Sequence, residues 1–199
     1  MTGLIERDAR RDVLSSKPLL VLDFGCAPFA GPETVAAAAR EIATEIERGN
    51  AVVAVLPPYQ DPTLDVASLA FAVSAVPNPR ELDLLISSAA LMATALCGLA
   101  VRGLGHPVIA LEPGQAGIVT DGQHTCATVT GIETGRIEHE LQHHAGVLVS
   151  GSVGTARWTH EVTVLGVGPS ELVSTLAKAL RATPRKISRT DARLHALSV

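Results

Sequence analysis

Asp23 and Cys26 are the first residues whose types and spacing suggest chemistry. They lie in Leu19-Leu20-Val21-Leu22-Asp23-Phe24-Gly25-Cys26-Ala27-Pro28. Its apolar start reads as a buried strand, and Phe24-Gly25 reads as the turn that leaves it. A strand, a glycine turn and a helix beginning past Pro32 make a common anion-binding geometry. Free backbone N–H groups and the helix dipole then point at one spot. Asp23 has the wrong charge for that role, and Pro28 has no N–H to donate. A partly buried carboxyl at a strand end can instead serve as a general acid or base, because burial favours its neutral form. It can equally do no more than cap the turn. A helix N-terminus near Cys26 favours the thiolate and Asp23 opposes it, so a small buried thiol is the plainer reading.

Other candidates lie where neighbouring strands end. Tyr59 and Asp61 sit on Pro57-Pro58-Tyr59-Gln60-Asp61-Pro62, a rigid loop able to face the same crevice or merely to turn. Trp158 and His160 follow a fourth strand, where the Trp could act as a lid or pack on a partner subunit. Ser87 and Ser88 could face a pocket or satisfy carbonyls of their own helix. His139-Glu140-Leu141-Gln142-His143 matches the zinc-protease pattern His-Glu-x-x-His, in which both imidazoles share a helix face. The third histidine of the longer pattern would fall at Val149, and no metal is expected.

Composition narrows the classes. The chain has 199 residues, 47% of them apolar and 3% aromatic, with a net charge of −4. A core of Ala, Val and Leu suits helices packed on a parallel sheet. No basic patch combines with aromatics, so nucleic-acid binding is not expected. The 3 cysteines show no framework spacing, which fits a reduced, cytoplasmic setting. Residues 84–101 carry no charge, near the lower limit for a membrane span, but a helix apolar all round can equally be central in a soluble protein. No membrane partner is expected.

The elements that must position these residues alternate. Strands are read over 19–24, 51–56, 107–111, 146–150 and 161–165, with a possible edge strand over 127–132. Helices are read over 32–47, 63–73, 80–103, 135–144 and 169–182. Residues 151–157 read as a glycine-containing loop, and 185–199 as a basic, less defined tail. The class is α/β: an αβα sandwich with a mainly parallel central sheet, whose ligand crevice lies at the C-terminal ends of the strands.

Four stretches together resemble the aspartate kinases of the amino-acid kinase superfamily. Leu22-Asp23-Phe24-Gly25-Cys26 is similar to the family's opening Lys-Phe-Gly-Gly. Arg80-Glu81-Leu82-Asp83-Leu84-Leu85-Ile86-Ser87-Ser88 resembles the run into Ser-Thr-Gly-Glu. Gly114-Gln115-Ala116-Gly117-Ile118-Val119-Thr120-Asp121 resembles Gln-Ala-Gly-Ile, and Val162-Thr163-Val164-Leu165-Gly166-Val167-Gly168-Pro169-Ser170-Glu171 resembles Thr-Thr-Leu-Gly-Arg-Gly-Gly-Ser-Asp. The resemblance implies the N-terminal lobe of the amino-acid kinase fold, often as a homodimer. It makes the chain a single domain over 1–199: a lead-in over 1–17, a core over 18–182 and a remnant of the nucleotide lobe over 183–199. It also adds Gln115 and Glu171 to the candidate binding residues.

The departures from the family carry the functional expectation. The resemblance implies a phosphate-neutralising lysine where Asp23 stands, a glycine at Cys26, Gly-Glu at Ala89-Ala90, an arginine at Val167 and a glycine at Pro169. With Asp23 for a cation and the family's ATP lobe expected to be largely missing, loss of ATP-dependent phosphoryl transfer is the expectation, and no cofactor is expected. Two readings remain. One is an ATP-independent enzyme that converts a small molecule, with Asp23 as acid or base and, by analogy, a place in bacterial specialised metabolite biosynthesis. Its substrate-binding residues would be Cys26, Tyr59, Asp61, Ser87, Ser88, Gln115, Trp158, His160 and Glu171. The other is a non-catalytic pseudokinase acting as a binding or scaffolding subunit.

Overall fold

Runs such as Ala51-Val52-Val53-Ala54-Val55-Leu56 cannot sit at a surface, because both faces are apolar, and they form the middle of a parallel sheet. The computed structural model describes residues 17–60 and 65–187. Most of the expected lead-in, Asp61 and residues 188–199 of the expected remnant lie outside them. The main sheet contains β1 (Leu19–Asp23), β2 (Ala51–Leu56), β3 (Val108–Ala110), β6 (Gly146–Ser150) and β9 (Thr183–Lys186) in the order β3-β6-β2-β1-β9. All its pairings are parallel. Asp23 is in register with Val55 and Lys186, and Leu56 with Ser150, so these residues mark one rim. A smaller mixed sheet holds β4 (Ile118–Thr120), β5 (Val129–Ile132), β7 (Val153–Ala156) and β8 (Val162–Val164) in the order β5-β4-β7-β8.

The period-2 alternation of strands sends neighbouring residues to opposite faces of the main sheet. Leu20, Leu22, Val52, Ala54 and Leu148 pack with helices α1 (Pro32–Glu47) and α3 (Pro79–Gly103). Val21, Val53, Val55, Val147 and Val149 pack with α4 (Gly135–Leu141) and α5 (Pro169–Leu180). The short α2 (Val66–Val73) lies beside α3. Helix starts follow their sequence signals. Asn78 caps α3 by accepting from the Arg80 N–H at 2.9 Å, and prolines occupy the first turns of α1, α3 and α5.

The sandwich and its parallel sheet are as expected; three local readings need correction. Residues 151–157 are not simply a loop, since they contain β7. The stretch Val-Gly-Thr-Ala has little strand character of its own, and its pairing is supplied by β4 and β8. β4 is not among the expected strands, because three residues are too few to show a period. β9 runs from Thr183 into the basic tail read over 185–199, and every one of its residues is exposed. It carries no apolar alternation and exists through backbone pairing to β1.

Candidate functional site

Asp23 ends β1 on the same face as Val21, which turns its side chain toward α5. It is 5% exposed. One carboxylate oxygen, Oδ1, accepts from the Gly25 N–H at 2.8 Å. That closes a tight turn over Phe24, for which Gly25 supplies φ of 75°. The other, Oδ2, accepts from the Ser170 hydroxyl at 2.7 Å. Ser170 is the second residue of α5, so the carboxylate lies at the positive end of that helix. Pro169, the first residue, is buried and offers no N–H. A side chain at Gly151 would lie 2.9 Å from both Pro169 and Val55, so the loop after β6 is pressed against this corner. Glu171 is exposed in the first turn.

The loop after β2 closes the rim from the other side. Phe29 N–H donates to the Pro58 carbonyl at 2.9 Å, and Gln60 N–H to the Phe29 carbonyl at 2.9 Å. Tyr59 N–H donates to the Ala89 carbonyl of α3 at 3.0 Å. Phe24, Phe29 and Tyr59 all pack on the core shared by α1 and α3. Ala89 and Ala90, where the resemblance implies Gly-Glu, are buried. Among the described residues the rim at this point is built from aromatic side chains and alanine.

The sequence candidates therefore divide. Asp23, Tyr59 and Glu171 stand along the rim at the strands' C-terminal ends. Cys26 is on the same turn but is exposed, contrary to the buried reading, because Gly25 swings the chain outward. Ser87 is buried and Ser88 exposed, and each donates its hydroxyl to a carbonyl of its own helix, Leu84 at 2.7 Å and Leu85 at 2.6 Å. Gln115 is exposed and accepts from the Glu112 N–H at 3.2 Å within its own turn. Trp158 is 87% exposed, and His160 is exposed with φ of 58°. Both belong to the turn between β7 and β8 and do not roof Asp23. His139 and His143 are exposed with ring centroids 5.0 Å apart, α4 ends at Leu141, and Glu140 is paired with Arg136 and His144. Among the described residues no group of three or more His, Cys, Asp or Glu could hold a metal ion. A cavity of about 260 Å³ opens at the opposite rim, between Lys17, Asn50, Pro107 and His144.

A polar cluster escaped the sequence reading. Asp83, on α3, is 0% exposed. It accepts from the Thr125 N–H at 3.1 and 3.0 Å and pairs with His124 Nδ1 at 2.9 Å. Glu161 then lies 2.6 Å from Arg80 Nε and 3.8 Å from His124 Nε2. The cluster pins the small sheet to α3 and holds Thr125 at φ of 67°. One signal for it was available. Asp83 shares the helix stripe of Ser87, Ala90, Thr94, Cys97 and Val101, all buried, and a charge on a core stripe needs partners. Deep in that stripe, burial pushes the Cys97 thiol up to about 12, leaving it inert.

Three exposed carboxyls are held below their usual range: Glu161 first by its hydrogen bond from Arg80, Asp121 by the Gln123 and Thr128 N–H groups, and Asp65 by the Ser68 hydroxyl and Ala67 N–H. A lowered carboxyl favours the fold above its unfolded pKa, and that contribution is lost as pH falls through the folded value. Thermal unfolding midpoints should therefore hold from pH 7 to about 5 and decline below about pH 4. Glu161→Gln should make the decline shallower; an unchanged acid limb would contradict this.

No family model matches the chain. It is 34% identical over 165 residues to an aspartokinase of Mycobacterium bovis, covering 82% of this chain and 39% of that one. An aspartokinase of Geobacillus stearothermophilus is 33% identical over 165 residues, 82% of this chain and 40% of its own. Among solved structures, aspartate kinase from Synechocystis superposes with a TM-score of 0.67 at 29% identity, over 85% of this chain and 28% of that one. E. coli aspartokinase III, solved with lysine and aspartate, gives 0.65 at 16% identity over 86% of this chain and 48% of its own, which bears on the fold alone. The chain thus spans about two fifths of the length of the curated relatives it matches. Within that span, fold and sequence together make it an aspartate kinase-like member of the amino-acid kinase superfamily.

Proposed function

We propose that this chain is a non-catalytic aspartate kinase-like protein, a binding or scaffolding subunit whose crevice no longer handles phosphate. The observation that carries this reading is the use of both Asp23 oxygens within the protein, one by Gly25 and one by Ser170. Phosphoryl transfer relies on cations and free backbone donors placed around the phosphates. At this rim an internal anion already occupies the N-terminal end of α5, and Pro169 has removed a donor there. Val167 stands where the resemblance implies arginine. The aromatic packing around Tyr59 and the buried Ala89-Ala90 pair support the same reading. An acid/base role for Asp23, as in an ATP-independent enzyme, would need its carboxylate open to a substrate, and at 5% exposure it fits this geometry less well.

Titration calorimetry with magnesium ATP should give no binding heat, and saturable binding at sub-millimolar ATP would overturn the proposal. A companion test addresses the role given to Asp23. Asp23→Ala strips the Ser170 hydroxyl and Gly25 N–H of a charged partner and should destabilise the fold by about 1–3 kcal/mol. A residue held only for catalysis would leave the unfolding midpoint unmoved or raised.

A further inference from the structure

The strands of the main sheet start at the rim opposite Asp23, and the residues that lead into them line a cavity of about 260 Å³. Lys17 comes before β1, Asn50 before β2, Pro107 before β3, and His143-His144-Ala145 before β6. The backbone here is paired within itself. Ala51 N–H donates to the Pro18 carbonyl at 2.9 Å, Val52 N–H to the Ala145 carbonyl at 3.2 Å, and Ala145 N–H to the Pro107 carbonyl at 2.7 Å. The side chains are therefore what the cavity offers. Ile46, Pro107 and Leu141 give it an apolar wall, and Lys17, Asn50, His143 and His144 give it polar groups.

Three of those polar groups are held from behind. Asn50 Nδ2 donates to Glu45 Oε2 at 3.0 Å. His144 Nδ1 lies 3.1 Å from Glu140 Oε2 and 3.2 Å from the Glu140 carbonyl. His143 Nδ1 lies 3.0 Å from the His139 carbonyl. Glu45 is 1% and Glu140 6% exposed, so two buried carboxylates fix the orientation of Asn50 and His144. Carbonyls and carboxylates only accept, so both rings carry a proton on Nδ1. These N–H groups cap the last carbonyls of α4, the negative end that an anion would otherwise meet. Each ring keeps its Nε2, a lone pair in neutral imidazole, and Asn50 keeps its Oδ1. Among the described residues no acid lines the cavity. Glu45 is also paired with Arg48 and Arg185, and Glu140 with Arg136.

One ammonium beside several acceptors selects a ligand. Lys17 suits an anionic group, whereas the two Nε2 atoms and Asn50 Oδ1 suit a hydrogen-bond donor. A ligand ammonium would share this small space with the Lys17 charge and be repelled, so a hydroxyl is the better donor. The volume falls below the ~300 Å³ at which pockets for drug-sized ligands begin. We propose that this cavity binds a small hydroxy acid, its carboxylate beside Lys17, its hydroxyl at the Asn50 and histidine side, and a short apolar body against Ile46, Pro107 and Leu141. The site stands at the other end of the strands from Asp23, so it neither rests on the reading of the crevice nor fails with it.

An NMR titration of the ¹⁵N-labelled full chain with 3-hydroxybutyrate, butyrate and 3-aminobutyrate tests this. The hydroxy acid should bind with a dissociation constant of about 1 mM and move the amide signals of Asn50, His143, His144 and Ala145. Butyrate, which lacks the hydroxyl, should bind about five- to tenfold more weakly, and 3-aminobutyrate no tighter than butyrate. Lys17→Met should weaken the hydroxy acid at least about tenfold, and His143→Ala about fivefold. Both residues are exposed, so neither variant should move the thermal midpoint. Absence of binding at 20 mM 3-hydroxybutyrate would overturn the proposal. Butyrate or 3-aminobutyrate binding as tightly as the hydroxy acid would do the same, as would affinity unchanged in Lys17→Met.

Discussion

Asp83→Ala should be strongly destabilising, with a loss of about 3–5 kcal/mol. Asp83 is fully buried, and its two oxygens are the partners of the Thr125 N–H and of His124. Removing the carboxylate leaves that N–H and an imidazole nitrogen facing an apolar helix. It also frees Thr125 from a left-handed backbone conformation that threonine rarely adopts. Because the cluster joins α3 to the small sheet, the damage should not stay local. For a chain of this size the unfolding midpoint should fall by roughly 10 °C. Asp83→Asn keeps an acceptor for Thr125 and should cost about half as much. Equal losses for the two variants would mean that the hydrogen bonds contribute little and that packing alone matters.

Gly117→Ala should approach the same size through a different cause. Gly117 ends the Gly-Gln-Ala-Gly turn at φ of 68°, and an added Cβ would sit 2.1 Å from the Glu133 carbonyl oxygen. That oxygen cannot withdraw easily. Its own residue donates a backbone hydrogen bond to the Gly117 carbonyl at 2.8 Å, where β4 begins its pairing with β5. Strain at the left-handed position adds roughly 1–2 kcal/mol to the steric term, for a total of about 3 kcal/mol or more. Gly114→Ala in the same turn is the control. Its Cβ would meet only Thr155 at ordinary contact distance, so it should change stability little. Chemical unfolding of the two variants side by side decides the matter, and equal stability would contradict the role given to Gly117.

The main sheet was legible because its strands are continuous apolar runs separated by helices with proline starts. Leu19-Leu20-Val21-Leu22, Ala51 through Leu56 and Gly146 through Ser150 leave little choice. The small sheet was less so. β4, β7 and β8 are only three or four residues each, and β9 is Thr-Pro-Arg-Lys; such strands exist through their partners. At the site, the sequence singled out Asp23 but not what holds it, because Ser170 lies 147 residues away. Trp158 and His160 follow β6 in the chain, which in sequence sets them beside the rim that holds Asp23. The structure instead carries that segment into β7 and out to an exposed turn. The Asp83 cluster shows the limit from the other side. The acid on the core stripe was visible in the sequence, whereas its partners, His124 and Thr125, became neighbours only when the small sheet folded onto α3.

The central claim is that the crevice of this aspartate kinase-like chain does not transfer phosphate. The most direct measurement is ADP formation from magnesium ATP in the presence of aspartate, followed by a coupled assay at high protein concentration. The account predicts no ADP above the buffer rate, for wild type and Asp23→Asn alike. Aspartate-dependent ADP formation by the wild type, abolished in a folded Asp23→Asn variant, would contradict it and make Asp23 a catalytic residue.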